Sequence, residues 1–444
     1  MPLSPLSSTS PSDWRYTAEG GANLVLSYVG PPSPFCGRIL RLRKRKKDRT
    51  ADSDAVPGDI GVEFGRSIVE PLLGRQQMVE MQLVVLEREW TRRMVRSLQD
   101  AKARPAQREV EDEVDVDAQV AVVAEDLVGG QGALAVEIKP KWGFLPSSLF
   151  LSPDTAATKA TYCRFCMHRY HKSASTDHHQ LGYCPLDLYS GDETHMRRAL
   201  DGLLSSWETS GGQSNSLRIF AHGQSVFPED VSCLRCNLRL AYMTEPSRQP
   251  SALATARDLL ASSAPSPFQP SASFRSLLSS SLIDALRHSS LLPTLAHLQA
   301  SLDPFDIEGL AHLLHSRLDV DLSSSHPDLS RLGPQPTLAE WQAWLAEHLS
   351  ARSTSLEQAD PRSAILSFLL SATFKDCSII VRFRRNATTG NVETSVKAID
   401  LDPKPINRLA KYWRMDREIV GRWKDMLAAL GEEDRRRIRR CAKE

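Results

Sequence analysis

The sequence predicts an α+β fold in which two lobes flank a cleft. Three observations lead to this prediction: the first third is rich in strand-like runs, the remainder mixes helical and polar stretches, and two strand-like runs return near the carboxyl end. A chain of 444 residues is long enough for two domains or for one two-lobed fold with insertions. We place the N-terminal lobe at residues 1–126 and the C-terminal lobe at residues 127–444.

Composition and charge limit the class of protein. The formal net charge is +1, so an anion site must come from local clusters and not from the field of the whole molecule. No run of about 18 apolar residues is present, and residues 1–13 lack a basic stretch followed by an apolar one. We therefore expect an intracellular protein, in the nucleus or the cytoplasm, that contacts no membrane and acts as a monomer.

The amino-terminal lobe opens with a predicted hairpin. Residues 24–29 form an apolar run, and in residues 37–43 apolar side chains alternate with arginines, as in a half-buried strand. The turn before them could bring backbone amides close to phosphates, although it also fits a plain hairpin turn. This turn contains Gly20, Gly21, Ala22 and Asn23. The basic run 38–49 lacks the interleaved aromatic residues of a nucleic-acid surface, so nucleic-acid binding is not expected.

The rest of the chain supplies a second set of elements. Residues 100–117 mix charges around Pro105, which favours an exposed loop, whereas residues 120–124 and 133–138 read as buried strands. Residues 245–360 are rich in Ser, Pro and Ala, with leucines at helical spacing, and predict a low-complexity helical insertion of no evident chemistry. A helix at 362–373, strands at 378–383 and 392–401, and a basic helical end complete the prediction.

The segment Glu137-Ile138-Lys139-Pro140-Lys141 has an unusual charge pattern. Pro140 fixes its own backbone and biases Lys139 towards an extended form. In an extended run Glu137, Lys139 and Lys141 would share one face, and two ammonium groups on one face suit a polyanion. The alternative is an exposed strand end with mixed charges.

Three acidic residues lie near the two predicted strands at 378–383 and 392–401. Asp400 and Asp402 end a strand on one face and could hold Mg²⁺, which prefers carboxylate and phosphate oxygens; they could equally belong to a capped turn. Asp376 precedes the other strand and could accept a hydroxyl proton, or it could be an ordinary turn residue.

The cysteines offer a candidate zinc site. Cys163, Cys166, His168 and Cys184 supply four ligands of the types that hold tetrahedral zinc, although they could also be ordinary core residues. The pair Cys233 and Cys236 could complete such a site or remain as buried thiols.

At these residues the sequence resembles the inositol-pentakisphosphate 2-kinase family, in a fungal-like form. The matching segments occur in the family's order and are residues 20–26, 35–41, 71–74, 136–146, 163–168, 183–191, 215–220, 375–378 and 399–405. The resemblance implies a two-lobed fold distantly related to protein kinases. It also implies a reaction in which ATP phosphorylates the 2-hydroxyl of inositol 1,3,4,5,6-pentakisphosphate to give ADP and inositol hexakisphosphate (phytate). No segment of residues 245–360 matches, so a family zinc site from that region is not carried over.

The resemblance also implies roles for individual residues. Asp376 would be the general base and Lys139 would bridge the transferred phosphate and the acceptor. The nucleotide and its magnesium ion would contact Arg41, Glu137, Asp400 and Asp402, with Glu125, Asp126 and Leu127 as the hinge beside adenine. The substrate phosphates would contact Lys139, Lys141, Arg164, Lys172, Asn215, Arg218, Lys404, Arg408 and Tyr412. Which cation of the basic run 38–49 also contacts the substrate stays open, and spacing favours Lys46.

Two alternatives remain open from the sequence. The first is a kinase that acts on a lower inositol phosphate; a protein substrate is disfavoured because the late block lacks His-Arg-Asp and Asp-Phe-Gly motifs. The second is a non-catalytic scaffold that binds polyanions or RNA through residues 38–49.

Overall fold

Two antiparallel sheets and the helices around them organise the chain. The computed structural model describes residues 5–47, 58–130, 132–172, 182–233, 250–263, 273–350, 359–386 and 388–441. The predicted α+β class is confirmed, because both sheets contain only antiparallel pairs and helices pack beside them. No helix among these residues combines the length and the apolar character that crossing a membrane requires.

The first sheet is built from the amino-terminal third of the chain. Its strands are β1 (Trp14–Glu19), β2 (Asn23–Tyr28), β3 (Arg38–Lys46), β4 (Met81–Val85), β5 (Asp112–Val114) and β6 (Val120–Glu125). The order is β1-β2-β3-β6-β4, and β5 pairs with the far end of β3. The predicted hairpin of β2 and β3 is present, and β1 is an additional strand that the sequence analysis missed. Leu40 and Leu42 of β3 are fully buried, and Arg41 between them lies on the opposite face.

The second sheet lies at the centre of the rest of the chain. Its strands are β7 (Ala133–Ile138), β8 (Leu217–Ala221), β9 (Gln224–Ser225), β10 (Ser378–Arg385) and β11 (Val392–Ile399), in the order β11-β10-β7-β8-β9. Strand β7 is buried on both faces, which explains its apolar sequence, and Glu137 is its one partly exposed residue. This polar interruption lies where the strand approaches the cleft.

Helices alternate with the strands along the chain and pack beside the two sheets. In chain order, the first helices of the described residues are α1 (Gly58–Phe64), α2 (Glu70–Leu73), α3 (Arg88–Asp100), α4 (Ala106–Glu111), α5 (Pro153–Thr161), α6 (Arg164–Lys172), α7 (Pro185–Leu188), α8 (Glu193–Thr209) and α9 (Pro228–Cys233). The later ones are α10 (Pro250–Ser263), α11 (Phe274–His288), α12 (Leu291–Ser301), α13 (Asp306–Leu318), α14 (Leu338–Ser350), α15 (Pro361–Lys375), α16 (Arg408–Ala429) and α17 (Glu432–Arg437). The helix predicted at 362–373 is α15, which Asp360 caps by accepting a bond from the Ser363 amide.

The segment predicted as an exposed loop, residues 100–117, instead contains α4 and β5. The reason is electrostatic: Asp112 is buried and accepts hydrogen bonds from Lys44 at 2.9 Å and from Arg104 at 2.6 Å. Glu19 completes this cluster, at 3.0 Å from the Lys44 ammonium. Desolvation works against ionisation of Asp112, but Lys44 and Arg104 outweigh it and lower its pKa. The segment therefore covers part of the basic run, whose residues 48 and 49 lie outside the described residues.

The region predicted as a low-complexity insertion contributes helices α10–α14. Leucines at helical spacing, such as Leu282, Leu295 and Leu314, are fully buried there. They join the same hydrophobic core as Leu369 of α15 and Val381 of β10. The predicted helices are thus present, and they form part of the main core of the molecule.

The two sheets are joined by residues 126–132, of which residue 131 is not described. The Asp126 carboxylate accepts bonds from the amides of Val128 at 3.1 Å and Gly129 at 2.6 Å, which fixes a tight turn. Arg382 of β10 donates to the Gly129 carbonyl at 3.0 Å. The connection is therefore anchored to the second sheet as well as to the end of β6.

Candidate active site

A cavity of about 160 Å³ lies between the two sheets. Its apolar wall includes Val25 and Ile39 from the first sheet and Phe220, Ile380 and Leu401 from the second part of the chain. Its polar lining is formed by Arg41, Glu125, Asp126, Glu137, Arg218, Asp400 and Asp402. The cavity thus brings the predicted hinge residues, the predicted phosphate-binding arginine and the predicted magnesium ligands to one place. An apolar slot with charged groups at one side is the usual form of a small-molecule site.

Charged groups from both sheets meet at this cavity. Arg41 of β3 lies 3.4 Å from the Asp402 carboxylate, so an ion pair joins the two sides of the cleft. Asp402 remains about half exposed, and Asp400 is exposed, so oxygens of both are available to a cation. Glu137 accepts a hydrogen bond from Ser378 at 2.9 Å, and Arg218 lies opposite it in the neighbouring strand. Carboxylate oxygens of this kind suit Mg²⁺ that also binds phosphate.

Asp400 and Lys141 share an unusual backbone conformation. Their φ angles are 61° and 64°, in the left-handed region that residues with a side chain rarely adopt. The prediction that Glu137, Lys139 and Lys141 share one face of an extended run is therefore wrong at Lys141, because β7 ends at Ile138 and the chain turns. Such conformations cost free energy and persist where surrounding contacts enforce them.

The turn at Lys141 brings its side chain to Asp376. The Lys141 ammonium lies 3.4 Å from one Asp376 oxygen, and the Lys404 ammonium lies 3.3 Å from the other. Partial desolvation favours the neutral acid, but Lys404 and Lys141 outweigh it and lower the pKa of Asp376. The carboxylate, at 58% side-chain exposure, is thus ionised and open to a reacting hydroxyl. Two predicted substrate lysines and the predicted base are brought together.

Other predicted substrate residues lie on α6 and α16. The Arg164 side chain is largely buried, lies 3.2 Å from Asp416, and has its guanidinium 5.7 Å from the centre of the Trp142 ring. Lys172 and Arg408 are exposed, and Tyr412 is half-buried. Asn215 is exposed in the turn that leads into β8.

The pKa of His168 reflects the positive charge of this region. Desolvation, followed by the nearby cations Lys172 and Arg164, lowers the pKa of His168 to about 4. Lys141 contributes in the same direction. Nearby cations therefore oppose protonation of His168 in addition to its burial, as expected beside a polyanion site.

Lys46 and Lys139 are predicted substrate residues whose contacts in the structure do not test that role. Lys46 is half-buried at the end of β3, on the strand face that also carries Lys44 and is opposite to that of Arg41. Lys139 is half-buried, and its amide donates to the Ser216 carbonyl at 3.0 Å. Their assignments to the substrate stay predictions.

A buried charge network beneath α6 was not predicted. The Lys159 ammonium is surrounded by carboxylates of Asp306 at 2.5 Å, Asp416 at 2.9 Å and Glu308 at 3.2 Å. Desolvation dominates at Asp306 and raises its pKa to about 7, against the opposing effect of Lys159. Because Asp416 also contacts Arg164, the network supports a predicted substrate residue from behind. In the sequence, the presence of Asp306 and Glu308 within a leucine-rich helical stretch was the signal that could have indicated this network.

The candidate zinc ligands are grouped differently from the prediction. The sulfurs of Cys163, Cys166, Cys184 and Cys441 lie within 4.8 Å of one another, and His168 is not among them. The reason is helix geometry: Cys163 and Cys166 are three residues apart at the start of α6 and share a face, whereas His168 lies about 200° around the helix from Cys166. The distance between the sulfurs of Cys163 and Cys184 is 3.9 Å, close to the ~3.8 Å between thiolates on tetrahedral zinc. Of the pair Cys233 and Cys236, no side chain falls within the described part of the chain.

The model of the inositol-pentakisphosphate 2-kinase family matches residues 16–418. The chain belongs to this family. An inositol-pentakisphosphate 2-kinase of Cryptococcus neoformans is 32% identical over 443 residues, covering 96% of both chains. Those of Arabidopsis thaliana and Danio rerio are 27% and 26% identical, each over 92% of both chains.

The range that matches the inositol-pentakisphosphate 2-kinase family includes every predicted site residue, because Gly20 is the first of them and Tyr412 the last. Of the four clustered cysteines, Cys441 lies beyond the family match and the other three lie within it. The resemblance inferred from short segments is thus confirmed over nearly the whole chain.

Proposed function

We propose that this chain transfers the terminal phosphate of ATP to the 2-hydroxyl of inositol 1,3,4,5,6-pentakisphosphate, giving ADP and inositol hexakisphosphate. The observation that carries the proposal is Asp376, an ionised and accessible carboxylate held between Lys141 and Lys404. A hydroxyl on a highly phosphorylated ring needs a base to take its proton and cations to hold its neighbouring phosphates. Family membership supplies the identity of the ring and of the reacting hydroxyl.

The cavity between the sheets would hold the nucleotide. Adenine would lie in the apolar slot beside Glu125, Asp126 and Leu127, in the manner of a two-lobed kinase-like fold. Its phosphates would extend towards Arg41 and the turn between β1 and β2, and Asp400 and Asp402 would hold Mg²⁺. The bound magnesium would neutralise charge on the transferred phosphate, and Glu137 would complete this side of the site.

The acceptor would bind beside Asp376. Lys141 and Lys404 would hold phosphates next to the reacting hydroxyl, and Lys139 would bridge towards the transferred phosphate. The other phosphates of the acceptor would be bound by Arg164, Lys172, Asn215, Arg218, Arg408 and Tyr412. Asp376 would take the proton from the 2-hydroxyl of the acceptor while the oxygen of that hydroxyl attacks the terminal phosphorus of ATP and ADP leaves. Lysines act as point charges and arginines can bind two oxygens at once, so a mixed set suits five phosphates.

The purified chain should be assayed with ATP, Mg²⁺ and a panel of inositol phosphates. We expect inositol 1,3,4,5,6-pentakisphosphate to be phosphorylated with the highest kcat/KM of the panel. Faster turnover of a lower inositol phosphate would replace the proposed substrate. Tight polyanion binding without ATP turnover would instead support the scaffold interpretation.

We also propose that the four clustered cysteines hold a structural zinc ion. Cys163, Cys166 and Cys184 come from the region of α6 and α7, and Cys441 comes from the carboxyl end, so zinc would tie that end to the helix that carries Arg164. Four thiolates and no open position are typical of a structural and not a catalytic zinc site.

Replacement of Cys441 by Ser should lower the bound zinc well below the ~1 ion per chain expected for the wild type, and should lower Tm. Cys36→Ser is the matched control, because Cys36 is exposed and lies outside the cluster. Metal analysis by mass spectrometry and a thermal melt provide the two readouts. A zinc-free wild type, or equal zinc content in both variants, would contradict the proposal.

A further inference from the structure

Gln299 of α12 is a completely buried amide beneath the candidate active site. Its side-chain oxygen accepts a bond from the Gly143 amide at 2.7 Å. Its side-chain nitrogen donates to the carbonyls of Phe374 at 3.0 Å and Lys141 at 3.1 Å, and lies 3.3 Å from the Tyr189 hydroxyl. The Gly143 N–H needs an acceptor and the two carbonyls need donors, so the network fixes which end of the amide is oxygen.

The two carbonyls belong to the two segments that position the candidate base. Lys141 is the residue with the left-handed backbone whose ammonium contacts Asp376. Phe374 lies at the end of α15, two residues before Asp376. One buried side chain therefore spans from the lysine to the helix end that carries the carboxylate. In the described residues, the strand pairing nearest to these two segments is that of Ile138 with Ile379, where β7 meets β10.

The helix that carries Gln299 is itself held firmly. Leu291, Leu292 and Leu295 on the same helix are buried in the main core, so packing sets the position of the helix. At the other end of the network, Gly143 has no space for a side chain, because an added Cβ would lie 2.7 Å from the Tyr189 ring. A fixed support of this kind is what a precise catalytic geometry requires.

We propose that Gln299 is a positioning residue for phosphoryl transfer, whose amide sets the separation between Lys141 and Asp376. The inference rests on the proposed function of that site. It assigns a role to α12, a helix from the region in which the sequence showed no chemistry. Loss of the amide would leave the Gly143 N–H without its acceptor, with only the Tyr189 hydroxyl as donor to the Lys141 carbonyl and the weaker Cys377 thiol as donor to the Phe374 carbonyl. The strained turn at Lys141 would then relax.

The test compares Gln299→Met with Ser371→Ala. Methionine keeps the length of the side chain and removes its hydrogen bonds. Ser371→Ala instead removes a buried hydrogen bond between α12 and α15, from the Ser371 hydroxyl to the Gln299 backbone carbonyl, and keeps the bonds of the Gln299 amide to Lys141 and Phe374. We expect Gln299→Met to lower kcat by about 10- to 100-fold, as small misplacements do, with an unchanged Kd for ATP. Ser371→Ala should keep kcat within about two-fold of the wild type.

Gln299→Glu provides a second variant that preserves shape. Its oxygen can still accept from Gly143, but the ionised side chain has no donor for the carbonyls of Lys141 and Phe374. The activity of this variant relative to the wild type should rise as pH falls, since the protonated acid regains one donor. If Gln299→Met fails to fold, this variant carries the test.

The outcomes separate the two levels of the proposal. A folded Gln299 variant with the kcat of Ser371→Ala overturns the positioning role while the proposed function stands. A wild type that phosphorylates no inositol phosphate overturns the proposed function itself. A loss of kcat in both Gln299→Met and Ser371→Ala that tracks their loss of Tm would reduce Gln299 to a structural role.

Discussion

Replacement of Asp376 by Asn should lower kcat for inositol pentakisphosphate by about 10²- to 10⁴-fold, the usual contribution of a general base. Asparagine keeps the shape of the side chain but cannot accept the hydroxyl proton. It also removes the negative charge that lies between Lys141 and Lys404. The measurement is steady-state turnover at saturating ATP, with circular dichroism to verify the fold.

The matched control for this variant is Glu393→Gln. Glu393 is an exposed carboxylate of β11 that also pairs with a cation, Arg384, at 3.2 Å. Its loss should leave kcat within about two-fold of the wild type, as is usual for surface pairs. Near-normal turnover by the Asp376 variant would remove this residue from the mechanism.

The depressed pKa of Asp376 fixes the expected pH dependence. A carboxyl whose pKa is lower in the folded than in the unfolded protein adds stability above its unfolded value of about 3.9, and this stability is lost as pH falls through the folded value. In the free enzyme Asp376 is therefore already ionised at pH 5. Any loss of kcat/KM between pH 8 and pH 5 should come from other groups, and it should persist in a profile of the residual activity of Asp376→Asn.

The second large effect is expected from Lys159→Met, which should lower the free energy of unfolding by about 3–5 kcal/mol. The substitution leaves the carboxylates of Asp306, Glu308 and Asp416 together in the interior without the ammonium that they surround. Urea unfolding at pH 8 measures the change. Lys424→Met is the matched control, because Lys424 pairs with Asp154 on the surface and its loss should change stability little.

The sign of the pH effect distinguishes this mechanism from simple loss of packing. Without Lys159 the folded state must bind extra protons to neutralise its carboxylates, so the pKa values of these groups in the folded variant exceed those in the unfolded chain. Stability of the variant should then fall as pH rises, and its deficit against the wild type should be smaller at pH 5 than at pH 8. A deficit that is independent of pH would contradict the electrostatic explanation.

The fold was predictable wherever a side-chain pattern was local. Alternation in β3 and the apolar run of β7 identify strands directly, because one or both faces of each are buried. Strand β1 was missed, since its sequence is polar and only Trp14 is buried. The course of residues 100–117 depends on Lys44 and Glu19, which are distant in sequence, so charge mixing alone indicated a loop.

The site was predictable in its residue types and less so in its geometry. Asp376, Lys141 and Lys404 were identified as candidates, but the left-handed turn at Lys141 that joins them follows from tertiary contacts and not from Pro140. Gln299 was invisible because a glutamine in a leucine-rich helix has good helix propensity and no distinctive spacing. Cys441 was missed because its partners are more than 250 residues away along the chain.

The central claim is tested most directly by identifying the product formed from inositol 1,3,4,5,6-pentakisphosphate by the purified wild-type chain. Phosphorus and proton NMR of the product should show inositol hexakisphosphate, with one ADP formed for each new phosphate ester and far less product from Asp376→Asn on the same timescale. ADP formation without a new ester, or a new phosphate elsewhere than on the 2-hydroxyl, would contradict the account.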